Sequence, residues 1–317
     1  MKEEKMIDDI GRSLDEAVEQ AAERIGMRRV EMRKIVKIDP PKSGHYRLHF
    51  DDQKSKLVPR MTSKLGILDK PALKFWAANI ERDYVIGKVM EMGGVQDAHR
   101  FPLAVQEEEL RKRLGEKRAH QMRLKTAGAI GTSLHKAIQS HLRGVMGDNI
   151  LEAKLLGGPA DLEGPALLAY MAWEDWALSV SLEPTNVETM LGSELLDVAG
   201  TMDCAGWACN PEMDGRKTHT VFDWKSSARS KSQANGIYPE SELQVCGYRA
   251  LAIEMGLADD DSWAAVVRLP KNEDDPCLKE KEPFDVLWID PERADYLAKV
   301  LLDVGTAYTS MKEAFPK

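Results

Sequence analysis

Asp223-Trp224-Lys225 follows Gly200-Thr201-Met202-Asp203 at a spacing of twenty residues, so two carboxylates and an ammonium are offered to one place. Such a set suits a metal-dependent phosphodiesterase. Both segments lie in β-like runs, 195–208 and 218–224, divided by the turn-forming stretch from Asn210 to Arg216. The runs read as an antiparallel hairpin. A turn centred near Met213 and Asp214 sets Asp203 opposite residue 223 or 224, and strand alternation puts Asp223 and Lys225 on one face with Trp224 on the other. Carboxylates this close repel, and a divalent cation is the simplest compensation, because Mg²⁺ and Mn²⁺ take hard oxygen ligands. An Asp-x-Lys on an exposed strand is equally a solvated pair worth little. Here bulky Val221 and Phe222 precede the triplet and Ser226-Ser227 end it, as expected of a core strand that stops at a pocket.

Other residues extend the same chemistry. Gly131-Thr132-Ser133-Leu134-His135 opens a helical stretch in which Leu134, Ile138 and Leu142 form an apolar stripe, with His135 beside it near the helix start. Its imidazole is either a third ligand, better for Mn²⁺ than for Mg²⁺, or a satisfied histidine at the core boundary. Glu188 and Glu194 share another strand-like segment, and either one reaches the pocket or is simply solvated. Downstream, a helix expected over about 239–255 carries Gln244 and Tyr248 on one face. They are set to bind a phosphate or base, or to satisfy one another.

The order His135, Glu188 or Glu194, Gly-Thr-Met-Asp203, Asp223-Trp-Lys225, Gln244-x-x-x-Tyr248 resembles the PD-(D/E)XK nuclease superfamily, in its RecB-like branch. Asp223-Trp-Lys-Ser-Ser and Glu242-Leu-Gln-Val-Cys-Gly-Tyr248 look like the mitochondrial genome-maintenance exonuclease and related phage exonucleases. The stretch from Val58 to Gly66, with Lys70-Pro71-Ala72-Leu73 and Trp76-Ala77, is similar to the N-terminal part of those enzymes, so the resemblance spans roughly residues 57–255. It implies an α/β fold with a mixed central sheet flanked by helices, preceded by a helical N-terminal extension. It also implies Mg²⁺ or Mn²⁺ held by His135, Asp203, Asp223 and the main-chain carbonyl of Trp224, and a catalytic Lys225. Glu188 matches the family's upstream glutamate better than Glu194 does, and Gln244 and Tyr248 would line the DNA path. The implied activity is DNA exonuclease action in phage or prophage recombination, repair or replication. An endonuclease with the same site, and a DNA-binding module of this fold without turnover, are the alternatives. Some relatives hold an iron–sulfur cluster with a cysteine upstream of the histidine motif. Here no cysteine precedes Cys204, and no cluster is expected.

Composition bounds these expectations. The 317 residues are 43% hydrophobic and 30% charged, enough for one large domain or two ordinary ones. The division expected is an extension over 1–56 and a nuclease domain over 57–317. The opening residues lack the apolar core of a signal peptide, and no stretch approaches the roughly 18 apolar residues of a membrane span, so a cytoplasmic protein is expected. Four cysteines without C-x-x-C spacing suggest neither a zinc ribbon nor a disulfide framework. A net charge of −8 argues against coating nucleic acid by bulk attraction. Between Arg111 and Lys125, however, seven of fifteen residues are Lys or Arg. Arg118, Arg123 and Lys125 in this cluster either track phosphates or form a solvated face balanced by Glu107, Glu108 and Glu109.

The remaining elements read coarsely. Residues 1–26 carry an amphipathic pattern whose apolar face closes on the chain's own core or on a second protein. A hairpin is expected over 31–50, then a polar connector, and helices near 69–92, 105–124 and 128–144. A loop over 144–164, a helix bearing Trp173 and Trp176, the catalytic strands and the Gln244 helix follow. The chain closes with a strand at 263–269, a charged loop at 271–282, a strand at 284–289 and a helix from Pro291. Trp173, Trp176, Trp263 and Trp288 are read as core residues.

Overall fold

The computed structural model describes residues 33–68, 71–91, 112, 114, 118–147, 158–227 and 237–315, with the backbone alone for 71–76. The amphipathic segment 1–26, most of the basic cluster before Arg118 and much of the 144–164 loop lie outside these. The architecture is mixed α/β, with a five-stranded mixed sheet and a three-stranded antiparallel sheet flanked by helices. The described residues fall into two compact units, those of 1–68 with 133–317 and those of 69–132.

The small sheet comes first. Strands β1 (Ile35–Lys42) and β2 (His45–Phe50) meet across Ser43-Gly44, both at positive φ (48° and 81°), where glycine costs nothing in strain. Instead of a polar connector, Ser55–Pro59 adds a third strand, β3, in register with β2 from His45↔Pro59 to His49↔Ser55. The expected boundary at 56/57 falls inside β3. Ile38, Tyr46, Leu48, Phe50 and Val58 form one buried cluster that closes on Ala199 of the large sheet. Helix α1 (Met61–Leu65) follows directly.

In the unit of residues 69–132, helix α2 (Pro71–Glu91) places Glu81 to accept from the backbone N–H of His120 (3.2 Å) and to bond its ring Nδ1 (2.7 Å). Helix α3 runs unbroken over Ala119–Val145, where two helices meeting near residue 126 were expected. Gly131 was expected near a helix start, and Gly128 falls at the expected boundary. They sit inside α3 with no atom within 4 Å of a would-be Cβ. A helical glycine costs only about 1 kcal/mol relative to alanine. Burial of Leu134, Ala137, Ile138 and Leu142 farther along outweighs it.

The five-stranded sheet has the order β4 (Glu183–Ser193), β5 (Val198–Asn210), β6 (Arg216–Ser226), β7 (Trp263–Leu269), β8 (Asp285–Ile289). Only β6 and β7 run parallel, joined through helix α5 (Pro239–Glu254), as a parallel pair requires a crossover. The β5–β6 turn has the expected composition in use. Asn210 accepts from the Glu212 N–H (2.9 Å), and Asp214 and Gly215 take φ of 53° and 75°. Pairing runs from Asn210↔Arg216 to Cys204↔Phe222, so the next position sets Asp203 against Asp223.

Alternation along β6 assigns its faces. Phe222 and Trp224 stack at 5.7 Å and meet Trp173 and Trp176 of helix α4 (Gly164–Ser179), with the Trp176–Trp224 centroids 5.2 Å apart. Val221 joins Val245, Cys246 and Tyr248 of α5 in the core on the other face, the face Asp223 must share. Trp173 and Trp176 are core residues as expected, whereas Trp263 and Trp288 are only partly buried. The charged loop contributes a buried ion pair. Arg268, wholly buried in β7, binds Asp275 through both carboxylate oxygens (2.7 and 2.6 Å) and the Ser227 carbonyl (3.1 Å). Helix α6 (Pro291–Ala314) closes over α5, its first turn capped by Asp290 accepting from the Arg293 N–H at 3.0 Å. No helix among the described residues is long and apolar enough to cross a membrane.

Two positions test this packing. A Cβ on Gly206 would lie 2.4 Å from the Glu183 carbonyl oxygen and 2.9 Å from Pro184 Cα, both backbone atoms of β4. Gly206→Ala should therefore destabilise by about 1–3 kcal/mol in urea unfolding. Glu254, at the end of α5, is raised to about 7 by burial, against the Ser193 hydrogen bond and with some help from the charge of Glu194. Its neutral form is favoured in the fold, so the fold loses stability as pH rises from the ordinary carboxylate range through about 7. Glu254→Gln should melt above wild type at pH 8 and lose that advantage near pH 4.5.

Candidate active site

Four elements bring their side chains to one place. Asp203 comes from β5, Asp223 and Lys225 from β6, Glu188 from β4 and His135 from α3. Val187↔Cys204 and Thr189↔Met202 flank Glu188, which therefore stands opposite Asp203. It does so at φ 48°, a left-handed conformation that costs a non-glycine residue about 1–3 kcal/mol and is typical of functional sites. One oxygen of Asp203 accepts from the Trp224 N–H (2.8 Å) and the other lies 3.3 Å from His135 Nδ1. Glu188 Oε1 is 3.7 Å from the same nitrogen. Lys225 Nζ is 2.6 Å from Asp223 Oδ2, but at an angle that leaves this buried oxygen without a well-formed hydrogen bond.

His135, Glu188 and Asp203 each offer a ligand atom within 4.8 Å of the others, a spacing that fits one ion. Two oxygens and an imidazole are a donor set for a hard or borderline divalent cation. Asp223, expected among the ligands, falls outside this set and pairs with Lys225 instead. Glu188 takes a place in it. Of the two glutamates, Glu188 stands beside Asp203, whereas Glu194 lies past the end of β4 and is bound by Arg33 through both carboxylate oxygens. His135 sits in the second half of α3, not near a helix start, because α3 already begins at Ala119. At Trp224 the N–H bonds a carboxylate oxygen of Asp203.

Electrostatics follow from burial of several charges together. Asp203 is 7% exposed and Asp223 only 1%. Burial opposes the charged form of His135, yet the charge and hydrogen bond of Asp203, with that of Glu188, lift it to about 10. Burial likewise opposes ionised Asp203, and is overcome by His135, Lys225 and the Trp224 N–H, which hold it below the usual carboxylate range. At Asp223 burial prevails over the pull of Lys225 and, with the charge of Asp203, raises the carboxyl to about 6. Lys225 is held above its ordinary value, because Asp223 and Asp203 outweigh its burial. It is an ammonium.

Gln244 and Tyr248 stand together on α5, the amide donating to the phenol oxygen at 3.0 Å. Burial, and then the charges of Asp223 and Asp203, keep the Tyr248 phenol well above its ordinary value, so it stays protonated. Gly200 makes room for that ring. A Cβ there would lie 2.5 Å from Tyr248 Cε1, which gives Gly200 its place in the Gly-Thr-Met-Asp segment. Next to it, Thr201 Oγ1 meets the hydroxyl of buried Tyr46 at 3.1 Å. Sequence reasoning passed over Tyr46, whose one signal was an aromatic in the alternating run of β2. Arg118, Arg123 and Lys125 are exposed in the unit of residues 69–132. All four cysteines are free.

Neither a scan against protein-family models nor a search of curated proteins gives a match to this chain.

The ligand geometry leads to a direct test. Mn²⁺ at about a hundred times its Kd should stabilise the folded protein by about 2.7 kcal/mol. A thermal melt should show this gain in wild type and lose it in Asp203→Asn and in His135→Ala.

Proposed function

We propose that this chain is a metal-dependent deoxyribonuclease of the PD-(D/E)XK kind, RecB-like, cutting phosphodiester bonds from DNA ends. The observation that carries the reading is the convergence of the His135, Glu188 and Asp203 ligand atoms beside the 2.6 Å Asp223–Lys225 pair, with the three acids on adjacent strands. The order of strands and helix adds support, with Asp223-Trp-Lys225 on β6 and Gln244 and Tyr248 on the crossover helix that follows it.

His135, Glu188 and Asp203 would hold Mg²⁺ or Mn²⁺, with Asp223 close by through its register with Asp203. When bound, such an ion supplies an activated water and neutralises charge on the phosphate oxygens. The chain's own residues do the rest. Lys225, kept as an ammonium, orients the attacking water by hydrogen bonding and stabilises negative charge growing on the phosphate. Asp223 fixes the lysine in place and is the group that sets its charge. The Trp224 N–H and His135 hold Asp203 from its two oxygens, so that the carboxylate cannot rotate. The Gln244 amide fixes the Tyr248 phenol, and the phenol's remaining proton is available to a phosphate or base of the strand. Trp173, Trp176, Phe222 and Trp224 brace the opposite face of β6, so the charged face is presented on a rigid strand.

Two experiments test this. Lys225→Ala should lower cleavage of linear DNA in Mg²⁺ or Mn²⁺ by at least about a thousandfold at a temperature where circular dichroism shows the variant folded, its melting temperature falling because Asp223 is left buried without its cation. Full activity of that variant would sink the assignment. Digestion of linear single-stranded, linear duplex and closed circular DNA reads the mode of action: linear molecules should disappear and circles persist. Circles cut as fast as ends would make the enzyme an endonuclease, and tight binding of all three without cleavage would leave only a binding module.

A further inference from the structure

Arg60 joins β3 to α1, and its backbone is fixed from both sides. Its N–H donates to the Gly44 carbonyl (3.2 Å), and it forms a parallel bridge with Ala199 of β5. The neighbours on each side lead to one place. Met61 packs under Gly247 of α5, where a Cβ would meet Met61 Cε at 2.7 Å, and Gly247 immediately precedes Tyr248. Gly200, next to Ala199, lies beneath the Tyr248 ring itself. The Arg60 backbone therefore lies beside the β5 segment whose Gly200 and Thr201 meet Tyr248 and Tyr46.

Its bonding is unlike that of the other inward arginines. Arg33 is bound by Glu194, Arg249 by Asp295 at 2.7 Å, and Arg268 by Asp275. The Arg60 Nε is buried with no hydrogen-bond partner, and among the described residues its guanidinium meets no carboxylate. A buried donor left unpaired costs about 1–3 kcal/mol, and a guanidinium cannot escape the cost by losing its proton. A group kept at such a cost calls for an acceptor that arrives from outside. Guanidinium geometry matches two oxygens of a phosphate. The need is also electrostatic, because Glu188, Asp203 and Asp223 make the centre of the site acidic in a chain of net charge −8.

We propose that Arg60 is a phosphate-binding residue, holding a phosphate of the nucleic-acid strand away from the bond that is cut. The choice of a strand as the source of that phosphate rests on the nuclease reading. A free phosphate ion offers the same oxygens, and the test separates the two.

The full chain is compared with Arg60→Gln and Arg60→Lys, using a labelled single-stranded oligonucleotide with Ca²⁺ in place of Mg²⁺ to withhold turnover. Arg60→Gln should weaken binding about tenfold and make the dependence of log K on log salt shallower by about 0.7, the slope of one phosphate contact on a single strand. Arg60→Lys should fall between. A structural arginine would lose melting temperature when replaced. Arg60→Gln should instead melt at or above wild type, since it removes an unpaired donor. Inorganic phosphate, at matched ionic strength, should raise the melting temperature of wild type more than of Arg60→Gln. If wild type binds the oligonucleotide and Arg60→Gln binds it equally with the same salt slope, the assignment of Arg60 falls and the nuclease reading stands. If wild type binds no oligonucleotide while inorganic phosphate still protects it through Arg60, the strand as occupant is overturned, and the nuclease reading falls with it.

Discussion

Two carboxylates opposite one another on neighbouring strands, both almost wholly removed from water, are the constraint on which the rest of the site depends. Asp203 and Asp223 are 7% and 1% exposed, one pairing step beyond Cys204↔Phe222. Neither can be solvated, so each has its own compensation. Asp203 is held by His135 and the Trp224 N–H, and Asp223 by Lys225. The balance is incomplete. With Glu188 beside them, three carboxylates face two cationic side chains, and Asp223 is driven up to about 6. A divalent cation in place of the imidazolium proton would correct the charge.

The fold can be understood as what holds this arrangement still. β6 pairs antiparallel with β5 as far as Phe222 and parallel with β7 through Asp223, so the strand that carries Asp223 is held on both sides up to that residue. Its other face is fixed by four aromatic rings, and its end by the bond from buried Arg268 to the Ser227 carbonyl. Two local concessions fall beside the acidic cluster. Glu188 takes a left-handed backbone in the middle of β4, and Gly200 surrenders its side chain to admit Tyr248. Stability is given up at these points and recovered in the core around them.

Much of this was legible in the sequence, for local reasons. The β5–β6 hairpin was readable because Asn210, Asp214 and Gly215 are turn formers and the spacing on either side is even, which fixes Asp203 against Asp223. Lys225, two residues on, had to share the face of Asp223. Gln244 and Tyr248 were linked by helical spacing alone. What was illegible depends on partners distant in sequence. Glu188 and Glu194 have the same local surroundings, and only the β4–β5 register, with Arg33 occupying Glu194, separates them. The continuity of α3 through Gly128 and Gly131 is set by burial farther along that helix, which overrides two weak breakers. Asp275 looked like one more charge in a polar loop, because nothing near it announces Arg268 as its buried partner.

The central claim is that His135, Glu188 and Asp203 form one metal site beside Lys225. Crystals grown with Mn²⁺ and measured at the manganese absorption edge test it most directly. A single strong anomalous peak in contact with His135 Nδ1, Glu188 and Asp203, with Lys225 close to Asp223 beside it, is the result expected. Density for these side chains without a peak at saturating Mn²⁺, or a peak bound only elsewhere on the chain, would contradict it.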